Sequence, residues 1–469
     1  MATETKTIQV AAAQLPARPL EQAGQSLVDI EQAVAAASRA DAQVVVLPEC
    51  CYPCYWLGSK QRYRQADILR GSQVEEFFGR LAQRHRIHIV TGLVHEEQDR
   101  LYDAAVLYDP AGRVVARHFK TFLWDREHEW YEPGREVRPA ATDLGRIGML
   151  VCAEGRSPEV FASHAAQHAG LLAMPTAWVN AASKPGEYYN PQPDFLVPGR
   201  AIEFGLPMVC ANKFGQESDD ARFCGMSLIV SGEGEVLAKA PTDKPALLTT
   251  RVRMAARPLV LVDATVHRLL EARPVVPPAG APPVRVALLG GRLTGELADA
   301  TKAESLLRSL ASQGVQAALA LVADRSQAAT AQRAAKTAGV QLVTAIRSGL
   351  LVEAAGASIG CITSRQAQSF ALPRLLALEG AQVLCVFGSR NDPATLRVRA
   401  VENRVFVVAA AQEDCAAIAP GGELLARQTA VQALVVDLDL AQAASKLVAQ
   451  GTDIWAERRP DAYRLCCGS

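Results

Sequence analysis

The chain has 469 residues, too many for one ordinary core, so two or three domains are expected. Hydrophobic residues make up 49% and charged residues 21%, the proportions of a well-buried globular protein. Lys plus Arg and Asp plus Glu both number 49, a formal net charge of +0, and no basic run supplies the face that a nucleic-acid binder needs.

In chain order, residues 8–13 read as an apolar strand, 20–40 as a helix and 42–47 as a β-branched strand that stops at Pro48. A helix at 74–86 and strands at 88–92, 104–108 and 113–117 come next, the last two joined by the turn Asp109-Pro-Ala-Gly112. Then come a strand at 146–152, a helix at 157–168, a strand at 170–174, a helix at 198–204 and a strand at 208–212. Continuous apolar strands between amphipathic helices indicate an α/β fold whose sheets are buried by helices. No apolar stretch approaches the roughly 20 residues that cross a bilayer. The polar start 1–7 does not read as a signal peptide. Eleven cysteines without a regular spacing suit reduced thiols. A cytoplasmic protein that acts on a small molecule is expected, with neither nucleic acid nor membrane as partner.

The stretch Arg273-Pro-Val-Val-Pro-Pro-Ala-Gly-Ala-Pro-Pro283 reads as a stiff linker. The segment after this linker repeats the one before it, in the same order. Residues 284–289 match 8–13, and 303–322 match the helix and strand that end at Leu47. Ile359-Gly360 matches Ile147-Gly148, Arg399-Ala-Val-Glu402 matches Arg200-Ala-Ile-Glu203, and Pro420-Gly-Gly-Glu-Leu-Leu-Ala426 matches Ser231-Gly-Glu-Gly-Glu-Val-Leu-Ala238. Collinear matches of this kind indicate a tandem duplication. The expected division is 1–275, a linker at 276–283, and a second, degenerate copy at 284–469. That copy lacks the segment that holds Lys120 and Glu127. Val322 falls near the place of Glu49, and Ser364 at that of Cys152.

Glu49, Lys120 and Cys152 each come after the end of a strand, where side chains of helix-covered sheets converge. A carboxylate to take the thiol proton and an ammonium to stabilise an oxyanion would suffice for acyl transfer to water. Taken singly, Cys152 also suits a small buried hydrophobe, Glu49 a helix cap and Lys120 a solvated surface residue. Cys50-Cys-Tyr-Pro-Cys54 adjoins Glu49 and reads as pocket wall in preference to a metal site. Cys466 and Cys467 read as a frayed tail. Ser364, with neither Lys nor Glu equivalent beside it, does not read as a second nucleophile.

Several motifs resemble those of the nitrilase superfamily of carbon–nitrogen hydrolases. Val45-Val-Leu-Pro-Glu49 is similar to its glutamate motif. Leu101-Tyr-Asp-Ala-Ala105 and His118-Phe-Lys-Thr-Phe-Leu123 are similar to its lysine region, with Phe119 where Arg is usual. Glu127-His-Glu-Trp-Tyr-Glu-Pro-Gly134 resembles the segment with a second glutamate, and Cys152-Ala-Glu-Gly-Arg-Ser-Pro-Glu159 the nucleophile motif. Glu457-Arg-Arg-Pro-Asp-Ala-Tyr463 resembles the family's C-terminal segment.

The resemblance implies a four-layer α-β-β-α sandwich, duplicated in tandem. It implies catalysis by Glu49, Lys120 and Cys152 with Glu127 as positioning group, and no metal or organic cofactor. Ala153, Glu154, Trp178 and Tyr52 are expected at the substrate, Ala153 through its amide on the oxyanion; Tyr188 and Tyr189 fit the pocket or ordinary packing equally. The expected reaction is hydrolysis of a small amide or N-carbamoyl compound through a Cys thioester. A true nitrilase and a non-catalytic binding protein are the alternatives. Sandwich-to-sandwich pairing in the family implies an intrachain pseudo-dimer, with further homo-oligomers open.

Overall fold

The run Ile8, Val10, Ala11, Ala12 has no polar face to show to water, and strand β1 (Thr7–Pro16) is accordingly buried on both sides. The computed structural model describes residues 6–465, apart from 185, 257, 259–263, 279, 323, 348, 389–391 and 430–431. Two compact units result: Met1–Val262 together with Ala449–Ser469, and Asp263–Val448.

In the first unit, β1 pairs in parallel with β2 (Val44–Val46), and β2 with β3 (His88–Glu97). The antiparallel strands β4 (Arg100–Tyr108) and β5 (Val114–Phe119) extend this sheet at one side. At the other side lie β10 (Lys213–Ser218) and β11 (Ala221–Cys224), while β14 (Ala246–Arg253) runs antiparallel to β1. A second sheet comprises β6 (Ala140–Thr142), β7 (Gly145–Met149), β8 (Leu171–Pro175), β9 (Met208–Ala211), β12 (Leu228–Val230) and β13 (Val236–Lys239). Its strand order is β13-β12-β9-β8-β7-β6. The sheets face each other through β1 on β9, β2 on β8 and β9, and β3 on β8. Helices Ala23–Arg39 and Ser72–His85 cover the first sheet, packing Ile30, Val34, Phe78 and Leu81 against it. Helices Pro158–Ala166 and Val197–Phe204 pack together over the second. The unit is thus an α-β-β-α sandwich.

The second unit has the same layers. One sheet is built from β15 (Val284–Leu289), β16 (Ala317–Ala320), β17 (Gln341–Thr344) and β24 (Leu434–Leu438). Its order is β17-β16-β15-β24, with only β24 antiparallel. The other runs from β18 (Leu351–Ala354) through β19 (Ala357–Thr363), β20 (Val383–Gly388), β21 (Phe406–Ala411) and β22 (Asp414–Ile418) to β23 (Leu424–Thr429). Helices Ala300–Ser312, Arg325–Ala338 and Pro393–Asn403 start at Asp299, Asp324 and Asp392, whose carboxylates accept N–H groups of the first turn.

Residues after 448 return to the first unit as a strap. Thr452 Oγ1 accepts the Asp125 N–H at 2.6 Å, and Glu457 accepts the Leu123 N–H at 3.2 Å and lies 3.2 Å from His128 Nε2. Arg458 pairs with Glu159 at 3.2 Å, both buried, and the Arg464 N–H donates to Ser163 Oγ at 2.9 Å.

Every expected element of the first unit is present, most with ends shifted by one to a few residues. The strand expected at 146–152 stops at Met149, because Val151 leads into a tight turn. The domain limits differ more. Helix Ala264–Glu271 packs on Ala371–Leu378 in the second unit, and the Val275 N–H donates to Leu378 O at 2.8 Å. The break therefore precedes the proline-rich stretch, and residues 449–465 belong with the first unit, not with 284–448. Cys466 and Cys467 lie outside the described residues.

Candidate active site

Glu49 leaves the end of β2 beside β3 and β8: its N–H donates to Thr176 O at 3.3 Å, and the Gly92 N–H donates to Pro48 O at 3.1 Å. A Cβ on Gly92 would stand 2.3 Å from Glu49 Cα, so only glycine lets β3 approach so closely. Lys120 comes directly after β5 and is held on β4 by its N–H bond to Asp103 O at 2.8 Å. Cys152 opens a 3₁₀ turn, Cys152–Arg156, in left-handed backbone at φ 43°. Such a conformation costs a non-glycine residue about 1–3 kcal/mol, which the surrounding bonds must offset.

The Lys120 ammonium is the centre of the cluster. It donates to Glu49 Oε1 at 2.5 Å, Glu127 Oε1 at 2.7 Å and Asp103 Oδ2 at 3.2 Å, all fully buried. Glu127, on the helical turn Glu127–Trp130, also accepts the Tyr55 hydroxyl at 2.8 Å and, through Oε2, the Trp124 N–H at 2.9 Å. Burial works against the Lys120 charge, but Glu127, Glu49 and Asp103 outweigh it and hold the ammonium well above its ordinary range. Burial, partly opposed by Lys120 and reinforced by Asp103 and Glu127, raises the Glu49 carboxyl well above the usual carboxylate range. Burial likewise pushes Glu127 up to about 7. The Cys152 thiol is raised by burial first and by Glu49 second. A resting thiol there is protonated, so attack by sulfur requires a base that takes its proton. Glu49 Oε2 has no hydrogen-bond donor among the described residues.

Of the side chains singled out from the sequence, Glu49, Lys120 and Glu127 share this cluster, and Cys152 acts on its charges. Two others have surroundings different from those expected. Glu154, expected at the substrate, spends both carboxylate oxygens on the scaffold. Oε1 accepts the Thr121 N–H at 2.9 Å and its hydroxyl at 2.5 Å, while Oε2 accepts the Val151 N–H at 2.6 Å and meets His118 Nε2 at 2.8 Å. Glu154 therefore ties the cysteine turn to the lysine strand. Tyr52 is buried in the helix–sheet core, and its hydroxyl accepts the Leu69 N–H at 2.6 Å. Trp178 is buried, fixed by its N–H on Asn212 Oδ1 at 2.8 Å, with its indole Nε1 unpaired among the described residues. Ala153 directly follows Cys152 in the first turn, where leading N–H groups lack intrahelical acceptors. Tyr188 and Tyr189 are half-buried.

The cysteines after Glu49 have separate partners: Cys50 donates to Asp103 Oδ1 at 3.4 Å, Cys51 meets Thr91 Oγ1 at 3.2 Å, and Cys54 donates to Trp56 O at 3.4 Å. Sequence reasoning gave no role to Asp103, a charged residue in the buried middle of β4, or to Tyr55. It also missed the buried pair Lys213–Glu217 at 2.5 Å, in which Glu217 holds the Tyr55 and Trp56 N–H groups at 2.8 Å.

The profile of the carbon-nitrogen hydrolase family matches residues 9–257. A probable nitrilase of Schizosaccharomyces pombe is 26% identical over 183 residues, 38% of this chain and 64% of that protein. An omega-amidase of Bos taurus is 26% identical over 251 residues, 51% of this chain and 83% of that one. The crystal structure of an amidase from a Nesterenkonia species, 27% identical, aligns with a TM-score of 0.47 over 54% of this chain and 92% of its own. The matched span takes in Glu49, Lys120, Glu127 and Cys152 together, and it places the chain in the carbon–nitrogen hydrolase family.

Proposed function

We propose that the first unit hydrolyses the C–N bond of a small amide, with Cys152 as nucleophile, Glu49 as general base and acid, and Lys120 as oxyanion donor. The observation that carries this reading is the fully buried Lys120 ammonium bonded to Glu49 and Glu127, next to a cysteine in a left-handed turn. Cys152 is only 7% exposed, which suits a slim acyl group, and the unpaired Trp178 indole N–H suits a wall residue that meets a substrate acceptor.

Cys152 Sγ bonds to the carbonyl carbon as its proton passes to Glu49. The tetrahedral oxyanion takes hydrogen bonds from Lys120 and the Ala153 N–H. The C–N bond then breaks, the nitrogen receives the proton held by Glu49, and ammonia or an amine leaves a thioester. Glu49 next takes a proton from water, whose oxygen bonds to the acyl carbon. The C–S bond breaks, the acid departs and the thiol is restored. Glu127 holds Lys120 through both stages.

The similarity to an omega-amidase favours amides, and that to a probable nitrilase keeps nitriles on the test panel. Ammonia release from amides, N-carbamoyl compounds and nitriles, by wild type but not by Cys152→Ala, is the expected result. Equal release by the variant overturns the nucleophile assignment. Release from nitriles alone overturns the amide reading.

The second unit reads as a degenerate copy of the first. Its supports are the matching order and directions of the two six-stranded sheets, the match of β17-β16-β15-β24 to β3-β2-β1-β14, and the position of Ser364, directly after β19, where Cys152 comes after β7. The expected homologous segment between β17 and β18 holds no counterpart of Lys120 or Glu127.

A further inference from the structure

Asp103 is the third carboxylate on Lys120; it falls within the motif-like segment 101–105, but the proposed reaction gives it no part. It lies on β4 and is fully buried. Its main-chain oxygen accepts the Lys120 N–H at 2.8 Å, its Oδ2 the Lys120 ammonium at 3.2 Å, and its Oδ1 the Cys50 thiol at 3.4 Å. Cys50 Sγ is in turn 3.7 Å from the Tyr131 hydroxyl. Acceptor oxygens of Asp103, Glu49 and Glu127 lie within 4.8 Å of one another around one ammonium. Among the described residues, the other ionisable groups that act on this centre include Cys152, Tyr55, Tyr131, Lys213 and, on β5, His118.

Glu49 cannot hold Lys120 evenly through the reaction. Glu49 turns neutral when it takes the thiol proton, so its pull on the ammonium weakens just as the oxyanion forms. Asp103 sits outside that proton path, its side chain aimed at Lys120 by the Cys50 donor. Its negative charge also lies beside Glu49, where it disfavours the ionised base and so raises its appetite for a proton.

We propose that Asp103 is a positioning residue of the hydrolytic centre, which fixes Lys120 while Glu49 is neutral and strengthens Glu49 as the base for Cys152. This rests on the roles proposed for Glu49, Lys120 and Cys152. It also assigns a use to the first of the three cysteines after Glu49: Cys50 orients Asp103.

The test is Asp103→Asn in the full chain, which keeps the shape of the side chain and removes its charge. The expected result is a fall in kcat of roughly 10- to 100-fold with little change in KM. The acid limb of kcat/KM should also move to lower pH, because Glu49 loses a neighbouring negative charge. A variant whose acid limb stays at the wild-type position overturns the proposal, whatever its rate. If Asp103→Asn does not fold, Cys50→Ala removes the donor to Oδ1 without changing charge; kcat should fall at constant KM, and wild-type kcat overturns the proposal. Cys152→Ala is assayed alongside. Activity in that variant would overturn the nucleophile reading itself, whereas an inactive Cys152→Ala with an unaltered Asp103→Asn would overturn only the role of Asp103.

Discussion

Glu457 accepts the main-chain N–H of Leu123 across 334 residues of sequence, at 3.2 Å, and so holds the loop between Lys120 and Glu127. Its other oxygen is 3.2 Å from His128 Nε2, one residue after Glu127. Glu457→Ala leaves a buried N–H without an acceptor, at a cost of about 1–3 kcal/mol. Because the loop carries Glu127, kcat should fall as well. Urea unfolding and initial rates check both effects, and unchanged rates would show that the loop is held without this bond.

Glu154→Gln separates scaffold from substrate contact. The carboxylate faces buried His118 and two N–H groups, so losing its charge and turning one acceptor oxygen into an amide donor should cost about 3–5 kcal/mol. KM should stay close to wild type. A large rise in KM with an unshifted melting temperature would return Glu154 to the substrate.

Gly92→Ala places a Cβ at 2.3 Å from Glu49 Cα and 2.6 Å from Pro48 O, both main-chain atoms that cannot swing aside. Overpacking of this kind costs about 1–3 kcal/mol or more. Here it also displaces Glu49, so activity should drop further than stability alone explains. Thermal melting beside kcat distinguishes the two.

Burial pushes the Glu127 carboxyl from 4.5 up to about 7. A carboxyl that holds its proton more tightly folded than unfolded contributes stability below its unfolded value. That contribution is lost as pH rises through the folded value. The window therefore runs from 4.5 to about 7, and stability falls across it. Glu127→Gln stays neutral and should remove this part of the fall, on the order of 3 kcal/mol. Urea midpoints of wild type and variant across the window are the measurement; a constant difference between them contradicts the assignment.

Local pattern carried much of this architecture. The β-branched run before Pro48 and the apolar spacing of residues 23–39 mark a buried strand and the helix that covers it, because burial alone sets both periods. Glu49, Lys120, Glu127 and Cys152 were legible as motifs, three of them shortly after a strand end and Glu127 on a helical turn. The surroundings of Glu154 and Tyr52 were not, because residue type does not say whether an oxygen faces a ligand or a neighbouring main chain. Asp103 offered one signal, a charge in the buried middle of a strand, which is tolerated in a dry interior only with a partner. The return of residues 449–465 to the first unit was not legible: 457–463 resembled the family's C-terminal segment and Ile454, Trp455 and Tyr463 announce burial, but no local pattern names the surface that buries them.

The strap also fixes an order of events during synthesis. Glu49, Lys120 and Cys152 leave the ribosome long before Thr452 and Glu457, whose bonds close over the loop that bears Glu127. A nascent or truncated chain can contain every reacting group and still lack its final brace. The brace on this loop is thereby complete only after translation past Glu457, and a broken message or an early stop yields a chain that lacks it.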